Sequence, residues 1–203
     1  MSATTHDRRD RMEGGILGLL VGDALGVPYE FHGPTEIPAS DDIEMDPPAG
    51  FRRSHAGTPP GTWSDDGAQA LALLASLLER GRLDLDDFAA RLLAWFERGE
   101  YAVDDRVFDV GIQTGDALAA LRRGEPPDRS GAASEQANGN GSLMRVLPLA
   151  LWHQGSDAQL VADAHAQSVV THGHPRSQAC CALYCLWARR TLEEAPHPWS
   201  GAV

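Results

Sequence analysis

Basic residues and long apolar runs are scarce in this sequence of 203 residues. Lysine and arginine total 17 against 29 aspartates and glutamates, which gives a formal net charge of −12. Such a chain has no basic stripe to neutralise phosphates, so it is not predicted to bind nucleic acid. The longest apolar segment near the N-terminus, Gly14–Gly22, is closed by Asp23 and is too short to span a bilayer. No membrane partner is predicted either.

Cysteines are equally few: Cys180, Cys181 and Cys185 form one odd-numbered cluster. Such a set is a weak disulfide framework, and neither its spacing nor that of the histidines matches a zinc site. We interpret all three as reduced, buried, small hydrophobic residues. The leader Met1–Arg11 is polar and is a poor match for a secretory signal, so a cytoplasmic location is predicted.

The alternation of apolar and polar residues that marks a half-buried strand is also missing. Helical spacing is frequent instead, with Ser64 or Asp65, Asp84 and Ser156 in capping positions. A long irregular loop is predicted for Gly33–Pro60, which holds six prolines. The sequence therefore predicts an all-α fold, an irregular multi-helix bundle.

The first apolar segment carries glycine at every fourth position, at Gly14, Gly18, Gly22 and Gly26. Each glycine inside a helix costs roughly 0.5–1 kcal/mol relative to alanine, so four of them imply a gain from close packing. We predict a buried helix whose glycine stripe contacts another backbone. Glu30 lies on the loop just after this helix, where a lone carboxylate is usually solvated.

Two adjacent carboxylates, Asp65 and Asp66, follow Ser64 and directly precede an apolar helical run. Ser64 or Asp65 suits the N-cap, and the helix dipole favours ionised acids there. A hydroxyl beside two carboxylates is also a ligand set for Mg²⁺ or Mn²⁺. On spacing alone, an ordinary capped surface helix remains an alternative to a metal site.

Two further segments have weaker signals. Asn138–Arg145 (NGNGSLMR) precedes an apolar run, and its glycines leave backbone amides free for an anion or a sugar hydroxyl. A simple turn is an equally good interpretation. Thr171–Pro175 (THGHP) contains His172 and His174, for which cap or core roles are the better interpretation of an isolated pair.

Taken together and in this order, five segments resemble the ADP-ribosylglycohydrolase family. They span almost the whole chain, and although each alone is weak, the ordered set is highly specific. The segments are Gly15–Phe31 (GILGLLVGDALGVPYEF), Gly61–Leu78, Phe108–Leu118 (FDVGIQTGDAL), Asn140–Leu151 (NGSLMRVLPLAL) and Thr171–Pro175.

The resemblance implies an all-α fold with a two-metal Mg²⁺ or Mn²⁺ centre. It implies hydrolysis of the glycosidic bond between ADP-ribose and a protein side chain, of the arginine type, or a small acceptor. The expected partner is therefore an ADP-ribosylated protein or a small ADP-ribose conjugate. The metal ligands carried over are Ser64, Asp65 and Asp66, and the catalytic residues are Glu30 and the same two aspartates, with Glu30 as an acid/base or metal-bridging residue. The substrate-binding residues carried over are Asn140, Gly141, Ser142 and His172.

The sequence departs from the family pattern at two places. Gly67 stands where many members have threonine, and the second acidic motif, Asp-x-Asp followed by Ser or Thr, is missing, with no aspartate after Thr171. We expect one domain, 1–203, truncated at its C-terminus, that binds metal weakly and hydrolyses ADP-ribosyl-arginine slowly or not at all. The alternatives are a non-catalytic ADP-ribose-binding or structural relative and, with less support, an unrelated all-α interaction module.

Overall fold

The computed structural model describes residues 7–203, and seven α-helices account for about half of that part of the chain. The helices are α1 (Arg8–Gly26), α2 (Asp65–Arg80), α3 (Leu85–Arg98), α4 (Ile112–Arg122), α5 (Leu147–Trp152), α6 (Asp157–Val169) and α7 (Pro175–Leu192). Between residues 7 and 203 no strand forms; a single parallel bridge joins Ala132 to His172. The predicted all-α fold is confirmed.

The helix boundaries follow local capping chemistry. Ser64, Asp84 and Ser156 each accept a hydrogen bond from a backbone N–H in the first turn of α2, α3 and α6, respectively. Such caps satisfy amides that have no partner inside the helix. Gly81 and Gly99 end α2 and α3 in the left-handed conformation, with φ of 64° and 73°. These boundaries agree with the sequence prediction, as does the irregular loop before α2.

The core lies among α2, α3, α5, α6 and α7. α6 packs along α7, and α2 packs against α3 and α5. The largest fully buried apolar side chains are Trp95, Phe88, Leu73, Leu77 and Leu92. This core fixes α2, whose first turn carries the two adjacent aspartates.

The first helix is present as predicted, but its predicted burial is wrong. Ala24 is its only buried residue, and Leu17 and Val21 are 61% and 51% exposed. A Cβ atom added at Gly14, Gly18 or Gly22 would meet nothing within 4 Å. Periodicity shows that the glycines share one face, but it does not show that another element covers that face.

The cysteine prediction holds for two residues of three. All three cysteines are free, with Cys181 and Cys185 buried, whereas Cys180 is exposed on the outer face of α7. Among the described residues, no helix combines the length and the apolarity that crossing a membrane requires.

Candidate metal and substrate cleft

Asp23 fixes the start of α2 against α1. Its carboxylate accepts hydrogen bonds from the Ser64 backbone N–H (2.9 Å), the Ser64 hydroxyl (2.8 Å) and the Gly67 N–H (2.7 Å). Burial raises the pKa of Asp23, while these three donors oppose the rise. A Cβ atom on Gly67 would lie 2.8 Å from Leu20 Cδ2, so the glycine allows α1 and α2 to approach closely here.

The two adjacent aspartates sit in the first turn of α2 with little to neutralise them. Asp65 is buried, and its Oδ2 accepts a hydrogen bond from Gln69 Nε2 at 3.2 Å. Burial, followed by the negative charge of Asp66, raises the pKa of Asp65 to about 8. Burial and the charge of Asp23 raise that of Asp66 to about 6. Within the described part of the chain, neither carboxylate has an Arg, Lys or His nitrogen within 4.0 Å.

A buried arginine lies behind these acids. The Arg145 guanidinium is fully buried and donates to Gln69 Oε1 (2.8 Å), Gln167 Oε1 (3.2 Å) and the Gln167 carbonyl (3.0 Å). It also lies over the Phe88 ring, 5.0 Å from the centroid. Burial lowers its pKa to about 10. Gln69 therefore bridges this cation to the Asp65 carboxylate without a direct ion pair.

Glu30 faces the aspartates from the loop after α1. Its Oε2 lies 2.7 Å from His55 Nε2, and Asp109 Oδ1 lies 4.0 Å from the same nitrogen. Burial raises the pKa of Glu30 to about 7, and the neighbouring imidazole opposes the rise. The imidazole contacts two rings, those of Phe31 at 5.8 Å and Phe108 at 5.0 Å between centroids.

On the opposite wall, the glycines of the 138–145 segment pack against His172. A Cβ on Gly141 would lie 2.7 Å from His172 Cε1, and one on Gly139 would lie 3.1 Å from His172 Nε2. The ring is buried, and its Nδ1 is 2.8 Å from Thr171 Oγ1. Burial, and secondly the charge of Arg145, lowers the pKa of His172 to about 4, so the ring is neutral at pH 7.

These walls enclose one cavity of about 420 Å³. The structure thus brings together residues that are up to 142 positions apart in sequence (30 to 172). Of the residues singled out from the sequence, the cavity is lined by Glu30, Asp65, Asp66, Asn140, Gly141 and His172.

Two of the predicted site residues do not line the cavity. The Ser64 hydroxyl caps α2 and donates to Asp23. Ser142 is fully buried, and its hydroxyl accepts a hydrogen bond from Ser168 Oγ at 2.8 Å and lies 3.4 Å from Cys181 Sγ. Their ligand and substrate roles stay predictions. His174 acts as a cap, since its Nδ1 accepts from the Arg176 N–H at the start of α7.

Sequence reasoning missed three residues of this region: Asp23, His55 and Asp109. Asp23 and Asp109 lie inside the segments that carry the family resemblance, where a lone acid in an apolar stretch was an available signal. His55 lies in the long loop before α2, where the sequence offers no signal, because only the tertiary fold brings that loop to Glu30.

Comparison with known proteins agrees with this architecture. The profile of the ADP-ribosylglycohydrolase family matches residues 4–202. The chain belongs to the ADP-ribosylglycohydrolase family. It is 33% identical over 173 residues to "ADP-ribosylarginine hydrolase Tri1" of Serratia proteamaculans, covering 85% of this chain and 44% of that protein. It is 36% identical to the "ADP-ribosyl-[dinitrogen reductase] glycohydrolase" of Rhodospirillum rubrum, covering 85% of this chain and 54% of that protein.

A solved structure shares the ADP-ribosylglycohydrolase fold. An "ADP-ribosylglycohydrolase-related protein complex" superposes with a TM-score of 0.71 at 32% identity, over 92% of this chain and 57% of that chain. The chain thus spans about half the length of the curated relatives it matches.

The donor set of the cavity fits a divalent cation. The Asp65 carboxylate is buried and that of Asp66 is partly buried, and both have pKa values well above the ordinary range; they lack a counter-charge, which a cation would supply. Carboxylate oxygens are the ligands that Mg²⁺ and Mn²⁺ prefer. Asp65 and Asp66 are the residues placed to hold such an ion.

Proposed function

We propose that this protein hydrolyses the glycosidic bond between ADP-ribose and an arginine-type protein side chain or a small acceptor, with the aid of Mg²⁺ or Mn²⁺. The observation that carries the proposal is the single cavity in which Glu30 and the Asp65–Asp66 pair face Asn140, Gly141 and His172. The named activities of the relatives from Serratia and Rhodospirillum support the same reaction class. The cytoplasmic location inferred from the sequence stays a prediction.

Each wall of the cavity has a part in this chemistry. Cleavage of the bond builds positive charge on the ribose, and it needs an activated water and a proton for the leaving group. A bound divalent ion would orient ribose hydroxyls and acidify a water. The carboxylates themselves stabilise the positive charge that develops on the ribose.

Glu30 is the residue placed to move the proton. Its Oε2 is engaged by His55, which holds the carboxyl group at the wall of the cavity. A pKa of about 7 lets the group both accept and donate a proton near neutral pH. Asn140 and Gly141 offer amide donors, and neutral His172 offers an uncharged surface for the sugar.

A release assay tests the proposal. The chain is incubated with ADP-ribosyl-arginine in Mg²⁺, Mn²⁺ or chelator, and free ADP-ribose is quantified by chromatography. We expect slow metal-dependent release that disappears in Glu30→Gln and in the Asp65→Asn/Asp66→Asn double variant. Glu36→Gln, an exposed loop acid outside the cavity, is the matched control and should retain the activity of the unmodified chain.

The second candidate is ADP-ribose binding without hydrolysis. It is favoured by the position of the Ser64 hydroxyl, a predicted metal ligand, which is bonded to Asp23 and does not line the cavity. Binding of ADP-ribose in calorimetry with no release under any metal condition would establish this candidate over the hydrolase. Absence of both binding and release would refute the two together.

A further inference from the structure

We propose that Glu30, His55 and Asp109 form a site for a first-row transition-metal ion, with one imidazole nitrogen and two carboxylate oxygens as its protein ligands. The site shares the cavity wall with the proposed hydrolase centre, but it is separate from Asp65 and Asp66. The inference rests on the geometry of these three side chains and does not require that the chain hydrolyses anything.

The distances among the donor atoms suit one ion. One ligand atom from each residue can be chosen so that all three lie within 4.8 Å of one another. His55 Nε2 is 2.7 Å from Glu30 Oε2 and 4.0 Å from Asp109 Oδ1. Nitrogen and oxygen ligands about 2.0–2.2 Å from a tetrahedral or octahedral ion are about 3.0–3.5 Å apart. Side-chain shifts on the order of 1 Å therefore convert the present cluster into a coordination site.

The charge of the cluster also calls for a cation. Glu30 and Asp109 are both partly buried, and the charge of Asp109 raises the pKa of Glu30. In residues 7–203 the His55 imidazole is the one basic side chain within 4.0 Å of either carboxylate. With both acids ionised and the imidazole neutral, the cluster carries two negative charges and offers a nitrogen lone pair.

The imidazole is held in place by its surroundings rather than free to turn away. Its ring contacts the rings of Phe31 and Phe108. Ser54, the preceding residue, donates its backbone N–H to the Pro28 carbonyl at 2.8 Å and its hydroxyl to the Glu30 carbonyl. The loop bearing His55 is therefore fastened to the segment bearing Glu30, so both ligands move together.

The presence of a nitrogen donor determines which ion is favoured. Mg²⁺ and Mn²⁺ prefer oxygen ligands, whereas imidazole suits ions later in the first row such as Zn²⁺, and affinity generally increases from Mn²⁺ through Co²⁺ towards the end of the row. We therefore expect Zn²⁺ and Co²⁺ to occupy the cluster, while Mg²⁺ prefers the oxygen-only pair Asp65–Asp66. The chain then holds two chemically different cation positions.

The test is a titration of the chelator-treated full chain with Zn²⁺ by calorimetry, together with the visible absorption spectrum of Co²⁺. We expect His55→Gln to weaken Zn²⁺ binding by at least about 10-fold and to change the Co²⁺ spectrum. The same variant should leave Mg²⁺ binding within about threefold of the original value. Circular dichroism confirms that the variant is folded.

His32→Gln is the matched control. His32 is a neighbouring, partly buried histidine whose Nδ1 lies 2.8 Å from the Glu30 carbonyl oxygen, outside the cluster. It should bind Zn²⁺ like the unmodified chain. Equal losses in the two variants, or an unchanged affinity in His55→Gln, would overturn the proposal. So would complete loss of Zn²⁺ binding in Asp65→Asn/Asp66→Asn, because the ion would then belong to the aspartate pair.

The outcome is separable from that of the release assay. Loss of Zn²⁺ binding in His55→Gln confirms the site whatever happens to ADP-ribose release, because the substitution also removes the contact between His55 and Glu30 and can slow hydrolysis for that reason alone. If no variant releases ADP-ribose with any metal, the proposed hydrolase function is refuted, but the calorimetric result for Zn²⁺ binding at the cluster is unaffected.

Discussion

Replacing Asp65 with asparagine should stabilise the metal-free protein, although the substitution removes a proposed functional group. The carboxyl group is buried, its pKa is raised to about 8, and the nearest charges are those of other acids. Asparagine has nearly the same shape, carries no charge and still offers an oxygen to Gln69 Nε2. The substitution therefore removes the unfavourable ionisation and keeps the hydrogen bond.

The size of the effect follows from the pKa shift. A rise from 3.8 to about 8 corresponds to roughly 6 kcal/mol between the ionised and neutral forms. Relaxation of the surrounding side chains and water makes this figure a ceiling, so we expect a gain of about 2–4 kcal/mol at pH 8. For a chain of this size such a gain raises Tm by roughly 5–15 °C.

The sign of the pH dependence is also fixed. Between pH 4 and 8 the folded state retains a proton that the unfolded state releases, so the free energy of unfolding decreases as pH rises. The advantage of Asp65→Asn should therefore be small near pH 4 and largest at pH 8. A divalent cation should stabilise the unmodified chain at pH 8 and should have little effect on the variant.

Thermal unfolding in chelator, and again in Mg²⁺ or Mn²⁺, between pH 4.5 and 8 measures all of these effects. Asp116→Asn, at an exposed position on α4, is the control and should leave Tm within about 2 °C at every pH. A variant that is less stable than the unmodified chain at pH 8 in chelator, or an advantage that does not grow with pH, would refute the reasoning.

Three further predictions concern packing, and thermal or urea unfolding checks each of them. Gly18→Ala should raise the free energy of unfolding by about 0.5–1 kcal/mol, because its added Cβ meets nothing within 4 Å. A lower free energy of unfolding in this variant would show that the glycine stripe is covered in solution. Gly141→Ala should lower the free energy of unfolding by about 1–3 kcal/mol, since its Cβ would lie 2.7 Å from His172; an unchanged value would show that the loop yields freely. Arg145→Met should lower the free energy of unfolding by about 2–4 kcal/mol, because the side-chain oxygens of Gln69 and Gln167 lose their buried donor. An unchanged free energy of unfolding would mean that water replaces the guanidinium.

Local chemistry explains why the helices were predictable from the sequence. Ser64, Asp84 and Ser156 each cap a helix through hydrogen bonds to amides two or three residues away, so the signal and the structure lie in the same short segment. The glycine stripe of α1 shows the limit of such reasoning. Its period of four places the glycines on one helix face, but the packing of that face depends on elements distant in sequence.

The candidate cleft was predictable only in part, for the same reason. The family resemblance named Glu30 and His172, and the fold brings both to the cavity. His55 reaches Glu30 through 25 residues of irregular loop, and no pattern in that loop marks it. Arg145 follows the glycine-rich turn and is fully buried, although arginine is usually exposed. Both placements are decided by tertiary contacts.

The cleft has an excess of negative charge that a bound cation would balance. Within the described residues five carboxylates converge, His55 is the nearest basic side chain, and Arg145 acts only through Gln69. Burying unpaired carboxylates lowers the stability of the empty protein, and that same penalty becomes affinity when an ion enters and neutralises them. Metal affinity and the pH-dependent instability of the metal-free chain are then two consequences of one arrangement. Substitutions that abolish metal binding should therefore also remove the loss of stability at high pH. The five carboxylates are those of Asp23, Glu30, Asp65, Asp66 and Asp109.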